Sequence, residues 1–268
     1  MTPDSNVDLS IRILSGIDEQ DLARAIFDEV WPSDEGTQIT ANLLQAMVHN
    51  GTYVAGVFIH DEVVAASFAF PGLGKNKHLH LHSHMTAVQE SYRNRNIGTA
   101  LKFHQKAWAL EHGYETITWT FDPLVRRNAK LNFVKLGVHV FDYFADFYGD
   151  LPDTLNAGDP TDRMIAHWDI ANPRLIAAER TGKDIAVVLE NVDGKPIQTE
   201  VSETTSEVLC YLPVDIIELR TSNSPLALQW RLAMRNQLQP RLNLGWHISG
   251  FTSDGAYILT QSHLINPK

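Results

Sequence analysis

The chain has one cysteine, Cys210, in 268 residues. An intramolecular disulfide and any CxxC zinc or redox motif are therefore excluded, which fits a reducing compartment. Positive charge is scarce as well. Lys+Arg number 22 against 32 Asp+Glu, for a formal net charge of −10. Binding along nucleic acid or an anionic membrane needs clustered cations, so neither is expected as the main partner, although a local basic patch can hold a small anion. Long apolar runs are missing, since none approaches the roughly 18 residues of a membrane helix. Met1 to Asn6 is polar, without the basic and apolar regions of a signal peptide, and predicts a cytoplasmic protein. With 44% hydrophobic and 20% charged residues, the composition is that of a chain with a sizeable core, which rules out wholesale disorder, collagen and coiled coil.

Patterning along the chain predicts a mixed α/β protein. Val7 to Leu14 alternates as a strand. Asp18 opens a helix that Pro32 stops, and Thr37 is placed to cap a second helix reaching His49. Tyr53–Ile59 and Val63–Phe70 form a hairpin through His60-Asp61-Glu62. The run Pro71-Gly72-Leu73-Gly74 reads as a breaker before a strand at Leu79–Val88. A helix from Ile97 to about His112 follows, then a strand at Thr116–Phe121, a helix at Asn128–Lys135 stopped by Gly137, and strands at Val138–Phe144 and Arg163–Ile170. Asn172-Pro173 reads as a domain boundary, dividing residues 1–170 from 171–268. Beyond it come strands near Ile185–Glu190 and Val208–Leu212, a helix around Leu226–Leu238, and a hairpin pairing Trp246–Phe251 with Ala256–Gln261.

The most informative stretch runs from Val88 through Arg93-Asn94-Arg95-Asn96-Ile97-Gly98-Thr99-Ala100 to Leu101. A strand ends in a turn rich in Asn and Gly that opens directly into an amphipathic helix. Residues tolerant of left-handed backbone let N–H groups face one point, and the helix start adds free N–H groups and a positive dipole end. The result is an anion site, with Arg93 and Arg95 as extra charge. Neither the Walker loop nor the GxGxxG fingerprint is present.

This loop resembles motif A of the GNAT acyltransferase superfamily, Arg/Gln-x-x-Gly-x-Gly/Ala after a strand ending in Val. Val88, Arg93, Ile97, Gly98, Thr99 and Leu101 fall on the motif, with Asn96 in place of its first glycine. Asn128 to Lys135-Leu136-Gly137 is similar to the family's later helix, and the element order of residues 7–170 matches. The resemblance implies a GNAT fold, α+β with a mixed sheet, carrying a C-terminal α+β extension. It implies an acyl-CoA co-substrate, acetyl-CoA or another, held by the backbone of Thr86, Ala87 and Val88, by the loop Arg93–Ala100 and by Asn128. The implied chemistry is direct attack of a small amine on the thioester, with a base on the fourth strand. The family's tyrosine acid corresponds to Phe133, which has no proton to give; the alternatives are a thiolate that leaves without help, or Tyr143 or Tyr148 as the acid. The wider pattern is similar to a subgroup implying N-acylation of amino acids, with N-succinylation as the particular form. A homodimer is left open, and no metal is expected.

Four histidines, His78, His80, His82 and His84, alternate along the strand before this loop and would share one face. Three readings stand side by side: a metal site, satisfied histidines without chemistry, and a general base at His84 or His82. Asp122, at the end of the next strand, is placed either to orient that base or bind a substrate ammonium, or to cap the turn before Pro123. Arg231 and Arg235 lie one helical turn apart, either reaching an anionic group or lining a solvated face. Two further function classes accompany the enzyme: a non-catalytic acyl-CoA sensor on the same fold, and a metal-dependent hydrolase using the histidine row. Finally, Arg127-Asn128 with Leu136-Gly137-Val138-His139 is echoed by Arg235-Asn236 with Leu244-Gly245-Trp246-His247. Residues 171–268 are on this pattern either a degenerate half-GNAT unit or a chance likeness.

Overall fold

The computed structural model describes residues 9–32, 36–74, 77–149, 158–173 and 184–261. The chain divides into two compact units, residues 1–118 and 119–268.

The first unit begins with strand β1 (Leu9–Ile13) and helix α1 (Ile17–Val30). Helix α2 (Ala41–His49) is capped by Thr40, whose hydroxyl accepts from the Leu43 amide, and not by the expected Thr37. Thr37 instead donates to Asp28, 2.7 Å away. Strands β2 (Tyr53–Ile59) and β3 (Glu62–Leu73) pair through a turn in which His60 and Asp61 both have positive φ, the geometry that suits the twist of a two-residue hairpin. The expected break at Pro71 is absent: β3 runs through it, with Pro71 opposite Leu81 and Gly72 opposite His80. Glycine is what lets the strand continue, because a Cβ at 72 would sit 2.5 Å from the His80 ring.

Strand β4 (Leu79–Val88) follows, then helix α3 (Ile97–Glu111) and strand β5 (Thr116–Phe121), in which the unit boundary falls. The order β1-β2-β3-β4-β5 is antiparallel except for β4 against β5. On one face, Leu14, Ala23, Ile26, Phe27, Leu44, Phe68, Met85 and Ala87 form a core under α1 and α2. The other face takes α3, where the fully buried Tyr53 bonds His104 at 3.0 Å and meets Trp108 edge-on.

The second unit starts at the end of β5. Helix α4 (Arg126–Ala129) passes into a π-helical segment, Lys130–Leu136, and Gly137 ends it with φ 71°. Its strands are β6 (His139–Phe144), β7 (Arg163–Asp169), β8 (Ala186–Val192), β9 (Lys195–Gln198), β10 (Glu207–Tyr211), β11 (Trp246–Phe251) and β12 (Ala256–Gln261). They are ordered β7-β6-β11-β12-β10-β8-β9. Where one C-terminal helix was expected there are two: α5 (Ile216–Ser222), capped by Asp215, and α6 (Ser224–Asn243). Trp230 of α6 is fully buried and donates to the Gly194 carbonyl at 2.9 Å. No helix among the described residues is long and apolar enough to cross a membrane.

Candidate functional site

Strand β4 pairs with β5 only at Leu81–Ile117 and His82–Thr118. From Ser83 to Val88 that edge has no strand partner among the described residues, although side chains reach the Met85 and Val88 carbonyls. The strand leads through a single 3-10 turn, Glu90–Tyr92, into the loop before α3. There Asn94 and Asn96 take left-handed backbone, with φ 64° and 61°. Asn96 occupies the N-cap without a side-chain cap bond, so the first-turn amides are not covered by their own cap. Gly98 sits in that turn, and a Cβ there would meet only Val88 Cγ2, at 3.8 Å. The protein's own packing thus tolerates a side chain at 98, and its absence leaves room for a ligand to approach the backbone. Arg93 donates to the Val88 carbonyl at 3.3 Å, and Arg95 lies over the Tyr92 ring at 5.2 Å. Thr99 and Ala100 are half-buried.

The expected cofactor residues Thr86 to Val88 and Arg93 to Ala100 therefore lie in one continuous strand, turn and helix start. Ala87 and Ile97 point their side chains into the core, so only their backbones are available. Thr86 shares a hydrogen bond with Ser67 at 3.0 Å. Asn128 lies in the second unit, half-buried in α4 with its amide bonded to the Val125 carbonyl.

The histidine row is shorter than its alternation suggested, because His78 precedes β4. The pairing register slips between Phe68–Met85 and Ala69–Ser83, which leaves His84 as the extra residue of a bulge. Bulges bend a strand and re-aim one side chain. Here Ser83 is held from the α3 side while Met85 and Ala87 join the core beneath α1. His82 and His84 have ring centroids 6.0 Å apart, and both lie against Phe70. No group of three or more His, Cys, Asp or Glu suited to a metal occurs among the described residues.

The two imidazoles differ. His82 is half-buried, its Nδ1 is 3.1 Å from Thr118 Oγ1, and lost hydration, followed by His84, His80 and Lys102, pushes its pKa down to about 4. His84 is exposed, and desolvation by its aromatic neighbours lowers it. Both rings are neutral at neutral pH, but His84 is the one open to a reactant.

Asp122 is fully committed elsewhere. Arg231 grips it through two bonds of 2.9 Å, Arg220 donates to it, and it accepts from the Leu124 amide at 2.9 Å. After the desolvation that opposes it, the charge of Arg231, then Arg220, holds this carboxylate far below its usual range. Both the turn-capping expectation and an unforeseen ion-pair role are thus visible. Arg231 and Arg235 line no solvated face: Arg231 is 0% exposed and also bonds Asp159 at 2.7 Å, while Arg235 bonds Asp162 at 2.6 Å.

Phe133 is buried between Phe121 and Tyr257. Of the alternative acids, Tyr143 donates to Asp162, and burial, with that carboxylate next, drives its pKa well above normal. Tyr148 is exposed, with its hydroxyl 2.8 Å from Thr120 Oγ1. Sequence reading missed the bulge, Thr118 and Lys102. The one signal for Lys102 was its place in the apolar stripe of α3, between Leu101 and Ala109.

The model of the Acetyltransferase (GNAT) family matches residues 18–137. Residues 18–137 thus match a GNAT acetyltransferase domain, within a mixed α/β fold that has additional C-terminal strands. A GNAT-family acetyltransferase from Streptococcus pneumoniae is similar at 14% identity and TM-score 0.49, over 60% of this chain and 98% of that one. Arabidopsis thaliana Naa50, in complex with a bisubstrate analogue, is similar at 14% identity and TM-score 0.48, over 60% and 98%. The ribosomal-protein-S18-alanine N-acetyltransferase of Escherichia coli is similar at 14% identity and TM-score 0.46, over 63% and 99%. No curated protein sequence matches the chain.

Proposed function

We propose that this protein is an acyl-CoA-dependent N-acyltransferase that moves an acetyl or succinyl group to a small amine, an amino acid in the narrowest form of the reading. The observation that carries it is the edge of β4 from Ser83 to Val88, without a strand partner among the described residues, running into the left-handed turn and the start of α3. An extended amide-bearing chain fits the strand edge, and a pyrophosphate fits first-turn amides beside Arg93 and Arg95. A bound acyl-CoA supplies the activated thioester carbonyl.

The chain's own residues then do the rest. The loop backbone around Gly98 fixes the phosphates, and β4 fixes the arm. As the neutral amine nitrogen forms its bond to the acyl carbon, the imidazole of His84 takes the amine's proton. Neutral imidazole suits this step because it is unprotonated when the amine arrives. The C–S bond breaks, and the departing sulfur takes up a proton, for which Tyr143 and Tyr148 are the candidate donors. Asp122 takes no part, since its oxygens are occupied by Arg231 and Arg220.

The sensor reading draws its support from Phe133, which removes the expected acid. Calorimetric titration with acetyl-CoA and succinyl-CoA, using Gly98→Trp as a blocked control, tests the binding step. Thiol release with candidate amines then separates enzyme from sensor. If neither ester binds to folded protein, both readings fall together. We also propose that residues 171–268 are a degenerate half-GNAT unit, on the correspondence of Gly137 with Gly245 and of β6 with β11.

A further inference from the structure

Lys102 is a lysine on the inner side of α3, only 6% exposed. Its ammonium donates to Ser83 Oγ at 2.7 Å and to Gln105 Oε1 at 3.4 Å. Gln105 donates in turn to Ser67 Oγ at 3.4 Å. Ser67 bonds the Met85 carbonyl at 3.1 Å and the Thr86 hydroxyl at 3.0 Å. This polar chain grips β4 at Ser83 on one side of the bulge and at Met85 and Thr86 on the other, with His84 between them. Lysine is rarely buried so completely, and a neutral residue of similar shape would avoid the desolvation cost.

We propose that Lys102 is a positioning residue for acyl transfer: through Ser83 it braces the bulge that carries His84, and it sets a buried cation within electrostatic reach of His82. This rests on the N-acyltransferase reading in that it assigns the brace a reaction to serve. The titratable groups of β4 around it are His80, His82 and His84. On α3 and β2 they are His104 and Tyr53, which bond each other. The adjoining groups Ser67, Ser83, Thr86, Gln105 and Thr118 are uncharged. Burial lowers Lys102 to about 7, and its charge is among the causes that lower His82.

The test compares wild type with Lys102→Met and with Lys102→Gln, which deletes the charge but keeps a donor for Ser83. Histidine titrations are read by NMR, and kcat and KM for acetyl-CoA are read across pH. Loss of the cation is expected to raise the His82 midpoint by about half a unit or more. Because the brace acts on the bulge that carries His84, kcat is expected to fall in Lys102→Met and to be partly restored in Lys102→Gln, while KM for acetyl-CoA stays within about twofold. A His82 midpoint that does not move, together with an unchanged kcat in both folded variants, overturns the proposal. If wild type neither binds acetyl-CoA nor turns over, the enzyme reading fails on its own, and the His82 midpoint still decides whether the buried cation acts on that strand.

Discussion

Val140 and Ile248 are direct partners across the antiparallel pair of β6 and β11, and each lies three residues beyond a glycine with positive φ, Gly137 at 71° and Gly245 at 85°. Helix, left-handed glycine and strand thus occur twice in the second unit, and the two strands meet at equivalent positions. Each then pairs on its far side with an antiparallel neighbour, β6 with β7 and β11 with β12. Both side chains are fully buried. Truncating either one leaves a cavity at the seam between β6 and β11. Ile248→Ala is therefore expected to destabilise by about 2–4 kcal/mol, measured by urea unfolding with an unchanged slope. A loss below 1 kcal/mol would mean that this seam is loosely packed.

The ion-pair cluster behind Asp122 makes a sharper demand on stability. Arg231 is completely buried and satisfies both Asp122 and Asp159. Arg231→Met leaves Arg220 alone to hold two buried carboxylates, Asp122 and Asp159, and is expected to cost about 2–4 kcal/mol at neutral pH. The same cluster predicts acid sensitivity. The folded-state pKa of Asp122 is depressed, so its contribution is present above the unfolded value of about 3.9 and is lost as pH falls below it. In Arg231→Met that acid loss should be smaller, as thermal melts between pH 7 and pH 3 can show.

Gly98 allows stability and binding to be separated. Because a Cβ there meets only Val88, at 3.8 Å, Gly98→Ala should leave stability unchanged or raise it by up to about 1 kcal/mol. Affinity for acyl-CoA should nevertheless fall, and fall further in Gly98→Trp. If Gly98→Ala binds as tightly as wild type, the backbone of that turn is not where the phosphates lie.

The strands, the helix starting at Ile97 and the anion-binding loop were legible because their signals are local: alternation, a helical stripe, and Asn residues able to take positive φ. What was not legible depends on pairing. The bulge at His84 exists only in the register of β3 against β4, so simple alternation put four histidines in one row where the strand carries three. Pro71 read as a breaker because a sequence does not show that its strand neighbours leave its missing N–H unneeded. Asp122 and Arg231 are 109 residues apart, and their pairing leaves no mark at short range. Lys102 sat in plain view within an apolar stripe, and a lone polar residue there is the kind of signal worth following.

The base is expected to be His84 and not His82. His82 is held by Thr118 and lowered to about 4, so it remains unprotonated down to acid pH but is a poor proton acceptor. Because its folded pKa lies below the unfolded value of about 6.5, it favours the folded state above that pH and loses this contribution as pH falls towards 4. His84→Ala should reduce thiol release by about a hundredfold or more while acyl-CoA still binds. His82→Ala should cost less in turnover and remove part of the stability lost between pH 6.5 and pH 4. Equal turnover in the two variants would deny His84 its special position.

The departing thiolate supplies the last discrimination. Tyr143 and Tyr148 lie on the same stretch of chain but in different surroundings. The hydroxyl of Tyr143 is spent on Asp162, which Arg235 also holds, and burial keeps its proton in place. Tyr148 lies at the surface, its hydroxyl 2.8 Å from the neutral Thr120 Oγ1, with the Arg163 guanidinium 5.4 Å from its ring. Tyr148→Phe should therefore lower kcat by about ten- to a hundredfold with KM little changed. Tyr143→Phe should instead cost about 1.5–3 kcal/mol of stability, because it removes a hydrogen bond to a buried carboxylate. Measuring both quantities for both variants gives opposite patterns if Tyr148 is the acid. Full activity in Tyr148→Phe would mean that the thiolate leaves without a protein proton, and Phe133 would then mark a reaction that needs no acid at all.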